Sequence, residues 1–382
     1  MKINMIKFLF LFLGLTALNS CDKTPVIQPS GNTIKIGIIA PLSGSALHKG
    51  TEGIKGINYI LKTTPLLDNG DKIKLFIKDD KNKPEQSIKV LKELIKKHKV
   101  SAVLTLSSSN AVLGLAKVAD TFNTPIISLL ATHSGITQKN KYITQLGYND
   151  HFQGIAAALF VHDELLIDRV AIFKNHENIY SKDLANTFRK KFESVRGQVI
   201  LDSEYIGNNE QLMKSLLDLR NKKVQLIYLP INAAQVIKII NALKVLDWHP
   251  KIMGADGLLV NVFMSYKNDL DKLNGMITTD FYSSDLPMTD FGSKVKHGYE
   301  KDNHRLTSYS MMGIEGMTLL NRLITQCSSK STKECIQKQL DSGLTYTGLL
   351  GKISLNSNRV AQRVLLVNEI NNGELNYIVQ IY

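Results

Sequence analysis

Catalytic signatures are the first thing this 382-residue chain lacks. It has no G-x-x-x-x-G-K-S/T phosphate loop, so nucleotide hydrolysis has no support. No G-x-G-x-x-G joins the first strand to the first helix, and no G-x-S-x-G nucleophile elbow occurs. The nine histidines are scattered, none in H-x-x-x-H spacing beside a carboxylate, and read as surface or loop residues. Neither an enzyme, a metal site nor a cofactor is expected. After Leu18 no apolar run approaches the roughly twenty residues that span a bilayer. The net charge of +13 is not gathered into an aromatic-interleaved basic cluster. Lysines such as Lys89, Lys92, Lys96 and Lys97 fall on polar helix faces, so no nucleic-acid partner is expected. Hydrophobic residues at 43% and charged ones at 21% describe a globular protein with a real core.

What is present begins at the N-terminus. Lys2 and Lys7 precede an apolar run from Phe8 to Leu18, too short to span and suited to an export signal over residues 1–20. The stretch closes on Leu18-Asn19-Ser20-Cys21, which resembles a bacterial lipoprotein lipobox. That resemblance implies cleavage before Cys21 and its acylation, an anchor worth about 0.8 kcal/mol per buried CH₂. The expected location is therefore outside the cytoplasm, lipid-anchored to the cell membrane and facing the periplasm or the cell exterior. Residues 21–32, with their prolines and polar side chains, read as a tether. Asp22 resembles the inner-membrane retention signal of enteric bacteria.

Only three cysteines occur. With Cys21 assigned to lipid, Cys327 and Cys335 remain as a pair in an oxidising compartment. A bridge there would contribute roughly 2–3 kcal/mol on the chain-entropy model; the alternative is two free thiols.

From Thr33 onward β-branched runs alternate with helical spacing. Strands are expected at 33–40, 72–78, 101–106 and 124–129, with helices at 50–63, 84–98 and 111–122 between them. Such alternation implies βαβ units and a parallel sheet. A second series follows, with helices at 152–166, 182–195, 210–219 and 233–246 and strands at 169–173, 198–203 and 224–229. Short strands are expected at 251–254 and 276–279, then helices at 309–327 and 335–340. The terminal strands include the turn signal Asn371-Asn372-Gly373. The fold class is α/β, as two doubly wound, Rossmann-like lobes joined by a hinge. Lobe I is expected over 33–150 plus about 279–358, and lobe II over 151–278 plus about 359–382. Ligands of such sheets gather beyond the carboxyl ends of the strands.

Those strand ends carry small polar groups. Pro41-Leu42-Ser43-Gly44 follows the first strand, with Gly50, Gly53 and Gly56 on the next segment. Ser107-Ser108-Ser109 ends the third strand, where hydroxyls and free N–H groups at a helix start suit a carboxylate or simply cap the helix. Asp79-Asp80 is expected to shape the turn before Pro84.

In their order these motifs resemble the type I periplasmic binding proteins, in the leucine/isoleucine/valine-binding branch of ABC-transporter receptors. The carrying residues are Ile36–Gly44, Lys78–Pro84, Leu106–Ser109, Pro125–Thr132, Tyr180 and Gly254–Gly257. The resemblance implies a pocket for an amino acid-like small molecule. Ser109, with Ser108 as alternate, and the Thr132 N–H would hold its carboxylate. The Leu130 carbonyl, the Thr132 hydroxyl and Asp256 would hold its ammonium, and Tyr180 would cover it. Asn232 and Lys49 stand where branched-chain receptors carry aromatic residues, which points away from a plain aliphatic ligand and towards either an acidic or amide one or a solute that is not an amino acid. An ABC permease and the membrane, through the anchor, are the implied partners. The competing expectation keeps the fold for protein contacts, as in cell-envelope lipoproteins that activate cell-wall synthases.

Overall fold

The computed structural model describes residues 27–382 apart from 139, 206 and 329–331. The signal segment, Cys21 and the first part of the expected tether lie outside the described residues. The tether's last residues are tied down: Ser30 Oγ donates to Asp71 at 2.5 Å and Asn32 Nδ2 at 3.2 Å.

The first sheet has the parallel order β2-β1-β3-β4-β5, from β1 (Thr33–Ala40), β2 (Lys72–Asp79), β3 (Ala102–Thr105), β4 (Ile126–Ser128) and β5 (Ile143–Gln145). The helices between them are α1 (Leu47–Thr63), α2 (Pro84–Glu93), which runs on as a π turn, and α3 (Ser109–Thr121). Side chains alternate across β1. Ile34, Ile36 and Ile38 enter one core, whereas Ile39 enters a second with Leu91, Leu94 and Leu115. A sheet buried on both faces explains the near-continuous apolar reading of this strand.

The second sheet has the order β15-β14-β10-β9-β8-β6-β7. Its strands are β6 (Arg169–Lys174), β7 (Gln198–Glu204), β8 (Leu226–Tyr228), β9 (Lys251–Gly254) and β10 (Ile277–Asp280), closed by the antiparallel hairpin β14 (Leu365–Asn371) and β15 (Glu374–Ile381). Asn372 and Gly373, with φ of 51° and 73°, form its two-residue turn. Helices α4 (Asp150–Leu159), α5 (Ile179–Ser194), α6 (Asn209–Asn221), α7 (Ala233–Val245) and α8 (Leu258–Ser265) belong to this half. The chain then returns through α9 (Asp290–Lys301), α10 (Ser308–Thr325) and α11 (Thr332–Ser342) and a small sheet of β11 (Leu344–Thr347), β12 (Lys352–Leu355) and β13 (Ala361–Gln362). Cys327 and Cys335 are disulfide-bonded.

Gly53, grouped from sequence with the strand-end polar residues, is a packing residue. A Cβ on Gly313 of α10 would meet the Gly53 carbonyl oxygen at 2.1 Å, so α1 and α10 touch backbone to backbone. Asp79 and Asp80 shape their turn. Asp79 accepts Leu42 N–H at 2.9 Å and Ser43 Oγ at 2.6 Å, and Asp80 accepts Ser87 Oγ at 2.6 Å.

The chain passes between the two large sheets three times, after β5, after β10 and before β14. Each passage supplies one member of a buried stack. Tyr148 lies on Phe281 with ring centroids 4.3 Å apart, and the Arg363 guanidinium sits 5.5 Å from the Phe281 ring. Arg363 also meets Glu315 of α10 at 2.6 Å, both side chains at most 2% exposed.

Candidate functional site

Between the halves lies a cavity of about 440 Å³. The first half contributes Ser45, Lys49, Asn82 and Ser108 to it, and the second contributes Tyr180, Asn232, Asp256 and Asn261. These positions follow strand ends, as doubly wound sheets require.

Asp256 is held most firmly. It follows β9 in a turn whose last residue, Gly257, has φ +74° and caps α8. A Cβ at Gly257 would meet Tyr309 Oη at 2.3 Å, so glycine is required by both conformation and space. Asp280 anchors the turn from below by accepting Gly257 N–H at 3.1 Å. Oδ1 of Asp256 accepts Tyr180 Oη at 2.6 Å and Gln153 Nε2 at 2.9 Å. Burial, then the charge of Asp256, pushes the Tyr180 phenol well above its usual range. Tyr180 therefore stays a neutral donor.

Close by, Asp150 opens α4 and is fully buried. Its N–H donates to the Thr132 carbonyl at 2.7 Å. The Thr132 hydroxyl favours its charged form, yet neither carboxyl oxygen closes a hydrogen bond of good geometry. Burial pushes its pKa well above the carboxylate range, and the like charge of Asp256 adds to this. The buried hydroxyl of Tyr228 also has no partner among the described residues. Lys49, half-buried on α1, faces these groups. Desolvation lowers its pKa while Asp256 and Asp150 pull it back up.

The other residues named from sequence sit as follows. Ser108 lines the cavity, but its N–H and its hydroxyl both donate to Asn82 Oδ1 at 2.8 Å. The Ser109 hydroxyl is buried and accepts His133 N–H at 3.3 Å. Leu130 and Thr132 are buried at 5% and 1% exposure. Asn232 lines the cavity while capping α7 through a reciprocal pair with Gln235. Asp150, Gln153, Asn82 and Asn261 were not singled out from sequence. An Asn-Asp pair at a helix start reads as a cap, and Asn149 does cap α4, so nothing local separates Asp150 from its neighbour.

The two halves also touch at the rim. Ser134 Oγ donates to Asp183 at 2.7 Å, and Asn110 accepts Ile179 N–H at 3.2 Å. Among the described residues no group of three His, Cys, Asp or Glu side chains is placed to hold a metal, and no helix is long and apolar enough to cross a membrane.

A family model described as periplasmic binding protein matches residues 33–374. The chain belongs to the periplasmic binding protein family. A curated relative, an amino acid binding protein of Pseudomonas aeruginosa, is 19% identical over 72% of this chain and 75% of its own length. A leucine-binding protein of Thermotoga maritima superimposes with a TM-score of 0.82 at 22% identity, over 91% of this chain and 98% of that one. A branched-chain amino acid transporter substrate-binding protein of Streptococcus pneumoniae, solved with isoleucine, gives 0.81 at 22%, over 91% and 99%. An ABC-transporter solute-binding protein of Rhodopseudomonas palustris, solved with 3,4-dihydroxybenzoic acid, gives 0.76 at 20%, over 91% and 97%. The fold expected from sequence is thus the fold of this family.

Proposed function

We propose that this protein is the extracytoplasmic solute-binding lipoprotein of an ABC importer, anchored through Cys21. It takes an amino acid-like solute by closure of two lobes over the cleft, with the three passages as hinge, and presents the closed form to a permease. It carries out no catalysis. The observation that carries this reading is Asp256, fixed at the cavity wall by Tyr180 and Gln153 through one carboxylate oxygen. Asp256 has no cation within bonding reach among the described residues, and an ammonium group entering the cleft supplies one. The rim contacts of Ser134 and Asn110 are the kind that closure makes and opening breaks, so a solute shifts the equilibrium through contacts it gains only when the lobes meet.

A thermal-shift screen of residues 27–382 against amino acids, amides and small carboxylates tests the proposal. A solute at about 100 Kd adds about 2.7 kcal/mol of stability. Asp256→Ala should then lower affinity by about 3–5 kcal/mol in calorimetry while unfolding stays cooperative. Unchanged affinity would remove Asp256 from the site. Failure of every solute to stabilise the folded protein would favour a protein-contact role in the cell envelope.

A further inference from the structure

The solute's class can be read further, on the basis of the solute-binding reading, from the one cationic side chain among the described residues of the cavity wall. Lys49 and Asp256 are the formally charged residues lining the cavity, one from each half. Asp256 has two donors. The Lys49 ammonium has no hydrogen bond or ion pair with any described residue; it rests 5.9 Å from the centroid of the Tyr309 ring. A ring face offsets only part of the cost of a desolvated ammonium. Arg363 shows how this chain treats a buried cation that serves structure alone, with a carboxylate at 2.6 Å. The cavity wall around Lys49 is also unsuited to an isobutyl or isopropyl group. Asn82, Asn232 and Asn261 line it, and Ile231 and Leu258 are its branched aliphatic side chains.

We propose that Lys49 is a specificity-determining residue that pairs with a second anionic group of the solute, so that the cleft selects an acidic amino acid over a branched aliphatic one. The solute's ammonium meets Asp256, and its side-chain carboxylate meets Lys49. Both walls of the cleft are then neutralised in a single closure. Neutral amino acids leave the Lys49 ammonium unpaired in the closed cleft, and cationic ones oppose it.

Calorimetry with L-glutamate, L-aspartate and L-leucine on the wild type, Lys49→Met and Lys49→Arg tests this. The wild type should bind one of the two acidic amino acids at least tenfold more tightly than leucine. Lys49→Met should lose that affinity at least tenfold without weakening leucine, and Lys49→Arg should keep most of it. Without solute, Lys49→Met should melt no lower than the wild type, because no hydrogen bond or ion pair is lost. Equal binding of leucine and the acidic amino acids, unmoved by Lys49→Met, would overturn the selectivity and leave the solute-binding reading intact. So would a Lys49→Met protein that melts several degrees lower, since Lys49 would then be a structural ion. A folded wild type that binds no amino acid would overturn both.

Discussion

Two groups of ionisable side chains stand in contrast. At the passages between the halves, Glu315 and Arg363 are paired at 2.6 Å, and Glu315 also accepts Leu349 N–H at 3.0 Å. In the cleft, half-buried Lys49 and fully buried Asp150 have no counter-ion within bonding reach among the described residues. Asp280 lies between these extremes, uncompensated by a cation but bonded to two backbone N–H groups, at 3.1 and 2.7 Å. The first arrangement stabilises a fold once ionic groups are buried at all. The second costs the fold stability and is met where a ligand completes it.

The largest way to break this contrast is to unpair the paired site. Arg363→Met leaves Glu315 as an isolated buried charge and should cost about 3–5 kcal/mol in urea unfolding. A cost under about 1 kcal/mol would mean that the pair contributes no more than the cleft groups do. Next comes Asp280, whose pKa burial raises from 3.8 to about 7. Between those values the native protein keeps a proton that the unfolded chain releases, so stability falls as pH rises from about 4 to 7 and this contribution is level outside that window. Its slope is at most about 1.4 kcal/mol per pH unit. Asp280→Asn should flatten the fall by that share in unfolding midpoints measured from pH 4.5 to 7.5. The smallest effect belongs to Asp150→Asn, which resembles the protonated acid and removes no partner. Its thermal stability at pH 7 should lie within about 1 kcal/mol of the wild type. A loss of 3 kcal/mol would reveal a pairing and dissolve the contrast.

Much of the fold was legible because a sheet covered on both faces writes long β-branched runs, as in Thr33–Ala40, and amphipathic helices write their own period, as in α5. Less legible were β5, three residues long, and α8, whose apolar sequence over Leu258–Ser265 has no polar face to betray a helix. Helix α9 went unseen although Phe291, Val295 and Tyr299 recur at helical spacing along it. At the site, sequence named Asp256 and Tyr180 separately, and the fold joins them at 2.6 Å across 76 residues. Ser109 was named for its hydroxyl, which here accepts His133 N–H and keeps its own proton to donate. Asp150 carried no local sign of its isolation, since burial is a property of what packs around a residue.

The order of elements, the hairpin turn at Asn372-Gly373 and the strand-end positions of the polar residues were determined by the sequence itself, because periodicity and backbone preference act over a few neighbours. Which charges found partners was decided only by the tertiary structure. Arg363 meets Glu315 across 48 residues while Lys49 meets no carboxylate within bonding distance, and pairing depends on where distant segments come to rest.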